Sequence, residues 1–216
     1  MLSLDDRVLA VLTEAWRLLP PLKSKAYLAA IGLERLGNQH GSYSPEDGTL
    51  ILNVDLFIGG TPEQIRLIDV DGNDPPLCMP CVSRPLHTTL HELSHAIGTA
   101  TGLDESPEWL ALSGWQCAPD DPEGTARYWE SRPGWAPQGP SEWRHRLGCW
   151  FTREYARRSP FELFADACTH IALGWTTPFA TSPNGVAKLR YLRREVWGET
   201  GILALTAARD RWHQRL

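Results

Sequence analysis

His91-Glu92-Leu93-Ser94-His95 sets two imidazoles four residues apart, with a carboxylate directly after the first. On a helix, residues four apart share one face roughly 5–6 Å from each other, so both rings reach one cation while Glu92 stays beside its open coordination position. Such a pair holds zinc, and the glutamate serves as general base toward a water that the zinc activates. The plainer reading is an amphipathic helix whose histidines face solvent. The neighbouring residues predict a helix in either case: Ser83 offers an N-cap, Pro85 suits the first turn, Leu86, Leu90, Leu93 and Ile97 form an apolar stripe, and Gly102 offers a C-terminal cap.

Catalytic zinc takes three protein ligands and leaves a fourth position open, so one more donor is needed. A continuation as HxxGxxH begins with His95 and Gly98 and fails at Thr101. The best remaining donors lie in Ser159-Pro160-Phe161-Glu162-Leu163-Phe164-Ala165-Asp166, where a helix puts Glu162 and Asp166 on one face and Phe161, Phe164 and Ala165 toward a core. Glu162 is then a zinc ligand, and Asp166 accepts the free ring N–H of a ligand histidine. A structural role competes for Glu162, because Ser159 to Glu162 is also a capping box with Pro160 at the first helical position. His170 and His87 are competing donors; His170 at its position suits a cap or a solvent-facing site, and His87 lies too far along the helix axis to share an ion with His91 and His95.

The run Tyr155-Ala156-Arg157-Arg158-Ser159-Pro160-Phe161-Glu162-Leu163-Phe164-Ala165-Asp166-Ala167 resembles the glutamate-bearing helix of the anthrax lethal factor catalytic domain and the related Pro-Pro endopeptidases. In that group a tyrosine stands seven residues before the ligand glutamate, and an E-x-F-A-acid pattern follows. The resemblance implies zinc held by His91, His95 and Glu162, Asp166 as the supporting acid, and Tyr155 as a hydroxyl donor to the oxyanion. The Tyr43 to Asn53 segment is similar to the edge strand above the cleft of such enzymes. The chain departs from the group at Ser94, where glycine is usual, at Asp166, where the acid is often glutamate, and in a longer interval between the two motifs.

Around these motifs the chain predicts an α+β fold: a mainly helical, zincin-like single domain over residues 1–216, with a small sheet or hairpin edging the cleft. Val8, Leu12, Trp16 and Leu19 mark a first helix, and a second is predicted from Tyr27 to Leu36, after Pro20-Pro21. Pro45-Glu46-Asp47-Gly48 is turn chemistry, followed by a strand at Thr49-Leu50-Ile51-Leu52 that could pair with an extended peptide. Residues 60–85 read as irregular. Residues 104–150 form a Trp-rich insertion, with Trp109, Trp115, Trp129, Trp135, Trp143 and Trp150 among prolines and glycines, and packing onto the core is favoured over lining a ligand groove. Helices follow over 151–174, 185–197 and 200–216.

At 216 residues and 42% hydrophobic, the chain is long and apolar enough for a substantial core. Its net charge of −5 argues against a nucleic-acid partner, and Arg190, Arg193 and Arg194 fit the solvated face of a helix. No apolar run reaches the ~18 residues of a membrane span. Asp5 and Asp6 ahead of the first apolar stretch do not suit a secretory signal, which leaves a cytoplasmic protein or one exported without a cleaved signal peptide. Cys168 falls on a core stripe, whereas Cys78, Cys81, Cys117 and Cys149 admit free thiols, a disulfide or a second metal site. The expectation is a zinc metalloendopeptidase of the glutamate-ligand class acting on a protein or peptide. The alternatives are a zinc-containing binding module with a Trp-rich recognition surface and a zinc amidohydrolase of non-peptide amides.

Overall fold

A computed structural model describes residues 3–20, 28–58, 84–118, 134–135, 143–176, 179 and 182–213. The fold is α+β. Helix α1 (Leu4–Leu18) starts at a capping box in which Ser3 and Asp6 satisfy each other's free backbone N–H groups. It buries Val8, Leu12, Ala15 and Leu18. Strands β1 (Ala30–Glu34), β2 (Gly41–Ser44) and β3 (Thr49–Asn53) form one sheet in the order β1-β3-β2.

The predicted second helix is not formed over Ala30–Glu34, which pairs in parallel with β3, Ile31 opposite Leu50 and Leu33 opposite Leu52. Gly32 at its centre weakens a helix, and the ladder with β3 satisfies the backbone instead. The hairpin at Pro45–Gly48 forms as predicted, joining β2 and β3 antiparallel with Tyr43 opposite Leu50. Its consequence differs from the expectation: β3 is the central strand, the outer edges among the described residues belong to β1 and β2, and β2 is the one beside the histidine helix's cleft.

Helix α2 (Arg84–Thr101) carries the histidine pair and buries Leu86, Leu90, Leu93 and Ile97 as one stripe. Ser83 and most of the 60–85 segment, Cys78 and Cys81 included, lie outside the described residues. Beyond Gly102, whose φ of +63° is the left-handed turn that glycine tolerates, comes the short helix α3 (Pro107–Ser113). Strands β4 (Trp115–Cys117) and β5 (Trp143–His145) pair as a small antiparallel ribbon. Four described tryptophans of this stretch are packed, while Trp135 is half-buried beneath Arg146. Trp109 is fully buried, edge-on to Phe164 and stacked on Tyr191; Trp115 meets Phe151, Trp143 meets Phe161, and Trp150 meets Phe179. Trp129 lies outside the described residues.

Within the predicted 151–174 helix, residues Glu154–Arg157 make a 3-10 turn and α4 begins only at Pro160, running to Leu173. Ser159 caps it, accepting the Glu162 N–H at 3.1 Å. Helix α4 packs along α2 and is buried almost all round, which is how a mainly apolar helix crosses the centre of a domain. Helix α5 (Pro183–Leu192) passes through a π turn, Arg193–Trp197, into α6 (Gly198–His213). Cys168 is buried on α4 as expected, Cys117 is exposed and Cys149 half-buried. No helix of the described residues is long and apolar enough to cross a membrane.

Candidate metal centre

Helical spacing on α2 places the rings of His91 and His95 4.8 Å apart and nearly perpendicular. Their Nε2 atoms approach to 3.2 Å. From α4, Glu162 Oε2 comes within 3.0 Å of His91 Nε2 and 3.5 Å of His95 Nε2. The three residues whose spacing predicted a metal triad are therefore one cluster, assembled across 71 positions of sequence. The capping-box alternative is half realised: Ser159 caps the helix, but the Glu162 carboxylate turns to the histidines.

The donor set fits zinc. Tetrahedral zinc with N and O donors at ~2.0–2.1 Å keeps those donors about 3.3 Å from one another. The three edges observed are 3.0, 3.2 and 3.5 Å. Charge agrees with shape. Burial opposes a charged His91, but hydrogen bonding to Asp166 and Glu162 outweighs it and lifts the ring pKa to about 10, so this spot favours positive charge. Burial likewise opposes an ionised Glu162, and the two histidines still hold it well below the usual carboxylate range.

Behind His91, on the side away from the triad, Asp166 Oδ1 lies 3.5 Å from Nδ1. The carboxylate faces the ring as a nearby charge without closing a hydrogen bond, and Nε2 is the ring nitrogen presented to the centre. Asp166 is fully buried, and Arg153 and Thr152 grip it: Arg153 Nε and Nη2 donate to Oδ1 at 2.8 and 2.5 Å, and Thr152 Oγ1 donates to Oδ2 at 2.6 Å. Burial would raise its pKa, yet the Arg153 charge holds it well below the ordinary range. Neither Arg153 nor Thr152 was legible beforehand, because no spacing rule links a loop to a helix 13 and 14 residues later.

His170 departs from expectation. It is buried, not solvent-facing, since α4 has almost no exposed side, and its Nε2 stands 3.9 Å from Asp166 Oδ2. With His87 and Asp166 it makes a second group of convergent ligand atoms, with Trp175 packed on both rings. Arg153 and Thr152 already occupy both oxygens of its one carboxylate, so the group offers a cation little charge. His87 is driven well toward the neutral form, by burial first and by Arg153 next.

The triad opens on a cleft of about 590 Å³. Gln39, Gly41, Ser42, Tyr43 and Pro45 line one wall, Glu92, His95 and Thr99 the floor, and Tyr155, Phe161 and Glu162 the other side. Asp104 and Glu105 close one end. Glu92 is buried, which raises its pKa. A Cβ on Gly41 would stand 2.9 Å from Glu92 Cγ and 3.0 Å from Thr88 Cγ2, so only glycine lets β2 lie this close to α2. Tyr155 donates its hydroxyl to Glu162 Oε1 at 3.2 Å, and burial pushes its pKa up to about 12. Asp104, absent from the expected site residues, is a buried acid raised to about 6 by burial and packed against Gly98 of the histidine helix. Compared with protein-family models, curated proteins and solved structures, the chain matches none of them.

Proposed function

We propose that this chain is a zinc-dependent metalloendopeptidase of the glutamate-ligand class, with a zincin-like fold resembling the lethal factor and Pro-Pro endopeptidase group and a protein or peptide as substrate. One observation carries the reading: two imidazoles and a carboxylate converge at tetrahedral-zinc spacing on the floor of an open cleft, with a carboxylic acid and a phenol beside them. His91, His95 and Glu162 would hold the ion. When bound, zinc polarises the scissile carbonyl and lowers the pKa of a water toward ~7.

The remaining work falls to the chain's own groups. Glu92, its pKa raised by burial, accepts the proton of the attacking water and returns it to the leaving amine. Tyr155 stays protonated across the physiological range and donates to the developing oxyanion. Asp166 holds His91 in the orientation that presents Nε2. The outer edge of β2 supports an extended backbone along the cleft, with hydrogen bonds that ask for no particular side chain.

The packing of the described tryptophans outside the cleft weighs against a Trp-rich recognition surface. The deciding experiment is metal analysis of the purified chain together with a cleavage profile on a peptide library, with Glu92→Ala as the control. About one zinc per chain and cleavage that disappears in Glu92→Ala are expected. Cleavage confined to non-peptide amides would replace the peptidase reading with an amidohydrolase. A chain without zinc, or with hydrolysis indifferent to Glu92, would remove both.

A further inference from the structure

The two groups argued to tune this centre, Asp166 behind His91 and Tyr155 beside Glu162, lie on different segments. Both touch one side chain. Arg153 places two nitrogens on Asp166 Oδ1, at 2.8 and 2.5 Å, and that is the oxygen facing His91 Nδ1 at 3.5 Å. Thr152 occupies the other oxygen at 2.6 Å, so the carboxylate cannot turn Oδ1 away. The same guanidinium lies with Cζ 5.0 Å from the centroid of the Tyr155 ring, whose hydroxyl reaches Glu162, and Arg158 Cζ stands 4.4 Å from that centroid.

From this geometry we propose that Arg153 is a positioning residue, which fixes the metal ligand His91 through Asp166 and the oxyanion donor through the Tyr155 ring. A fully buried carboxylate keeps its place and rotation only while fixed donors hold it. An arginine offers several donors in one plane, so it holds Oδ1 toward His91 while standing over an aromatic ring. Lysine supplies the charge without the plane or the second nitrogen. Arg153 touches neither substrate nor ion and acts only through these two neighbours.

The inference rests on the proposed zinc centre, and its test reads zinc itself as well as turnover. Zinc affinity is measured by competition with a chromophoric chelator for the wild type, Arg153→Gln, Arg153→Lys, Asp166→Asn and the double variant Arg153→Gln/Asp166→Asn, with circular dichroism to establish folding. Arg153→Gln is expected to weaken zinc by about 10- to 100-fold, as loss of a group that orients a ligand does. Arg153→Lys recovers part of that loss. In the Asp166→Asn background, removing Arg153 should change zinc affinity by less than about twofold, because the route through which it acts is already cut. Turnover of Arg153→Gln at saturating zinc should fall in kcat by about tenfold or more with little change in KM, the mark of a lost transition-state contact.

Zinc affinity of Arg153→Gln within about twofold of wild type, or an equal loss with and without the Asp166 carboxylate, overturns the proposal. If Arg153→Gln does not fold, Arg153→Lys decides by the same titration: wild-type affinity and kcat overturn the proposal, and a loss in both sustains it. A wild-type chain that binds zinc and cleaves no peptide loses the peptidase reading while the zinc titration still judges Arg153. A wild-type chain that binds no zinc overturns both.

Discussion

His91 Nε2 and His95 Nε2 stand 3.2 Å apart on one face of α2, closer than two bare lone pairs rest without a proton or cation between them. Glu162 Oε2 closes the triangle from α4. In the proposed zinc centre the helix-to-helix packing that brings these donors together sets the metal preference, and each residue's part can be separated by substitution.

Glu162→Ala removes one of three donors and should abolish stoichiometric zinc, whereas Glu92→Ala should keep zinc and lose about 10²–10⁴ in turnover, the usual worth of a general base. Metal content by mass spectrometry and initial rates on one peptide check both. Full zinc occupancy in purified Glu162→Ala protein would require a different third ligand.

Tyr155→Phe deletes one hydroxyl whose partner, Glu162, keeps its histidine contacts. Zinc affinity should hold within about twofold while kcat falls by about 10²–10³, the range for loss of one oxyanion donor. An unchanged kcat would take Tyr155 out of the reaction.

In the proposed centre, zinc and protons compete for His91. Its pKa is lifted to about 10 because Asp166 and Glu162 outweigh the opposing effect of burial, so between pH 6.5 and about 10 the metal-free ring keeps a proton that zinc must displace. Apparent affinity should gain about tenfold per pH unit from this group across that window. Because the folded-state pKa lies above the unfolded value, the metal-free fold draws full stability from His91 below pH 6.5 and loses it as pH rises toward 10. Calorimetry in buffers of different ionisation enthalpy measures the released proton, and thermal melts against pH measure the stability. A melting temperature of the metal-free chain that rises from pH 7 to 9 contradicts this assignment.

Asp104 is an acid that burial raises to about 6, so its ionised form is penalised in the fold. The penalty is absent below about pH 4 and complete above about pH 6. Asp104→Asn should accordingly stabilise the protein at pH 8 by on the order of 2 kcal/mol, several degrees of melting temperature, and leave it unchanged at pH 4. Equal melting shifts at both pH values would assign the effect to packing against Gly98.

What could be read along the chain was what local periodicity controls. His91 with His95, and Glu162 with Asp166, are helical neighbours wherever the helix sits, and the Pro45–Gly48 turn carries its own chemistry. Residues Ala30–Glu34 depart from the expected helix because their conformation is decided by β3, some 19 positions away in register, and not by their own spacing. Arg153 carries no signal in the sequence for a related reason: a loop side chain meets a helix only once both have folded. His170 was placed facing water because one helix viewed alone has an outside, and α4 has almost none.

Gly41 leaves β2 resting directly on Glu92. In the proposed enzyme, the rail along which a substrate backbone aligns and the base that must meet its attacking water are thus one rigid unit, with a contact distance set by a missing methyl group. The alignment of that rail with that base is then inherited from the fold itself.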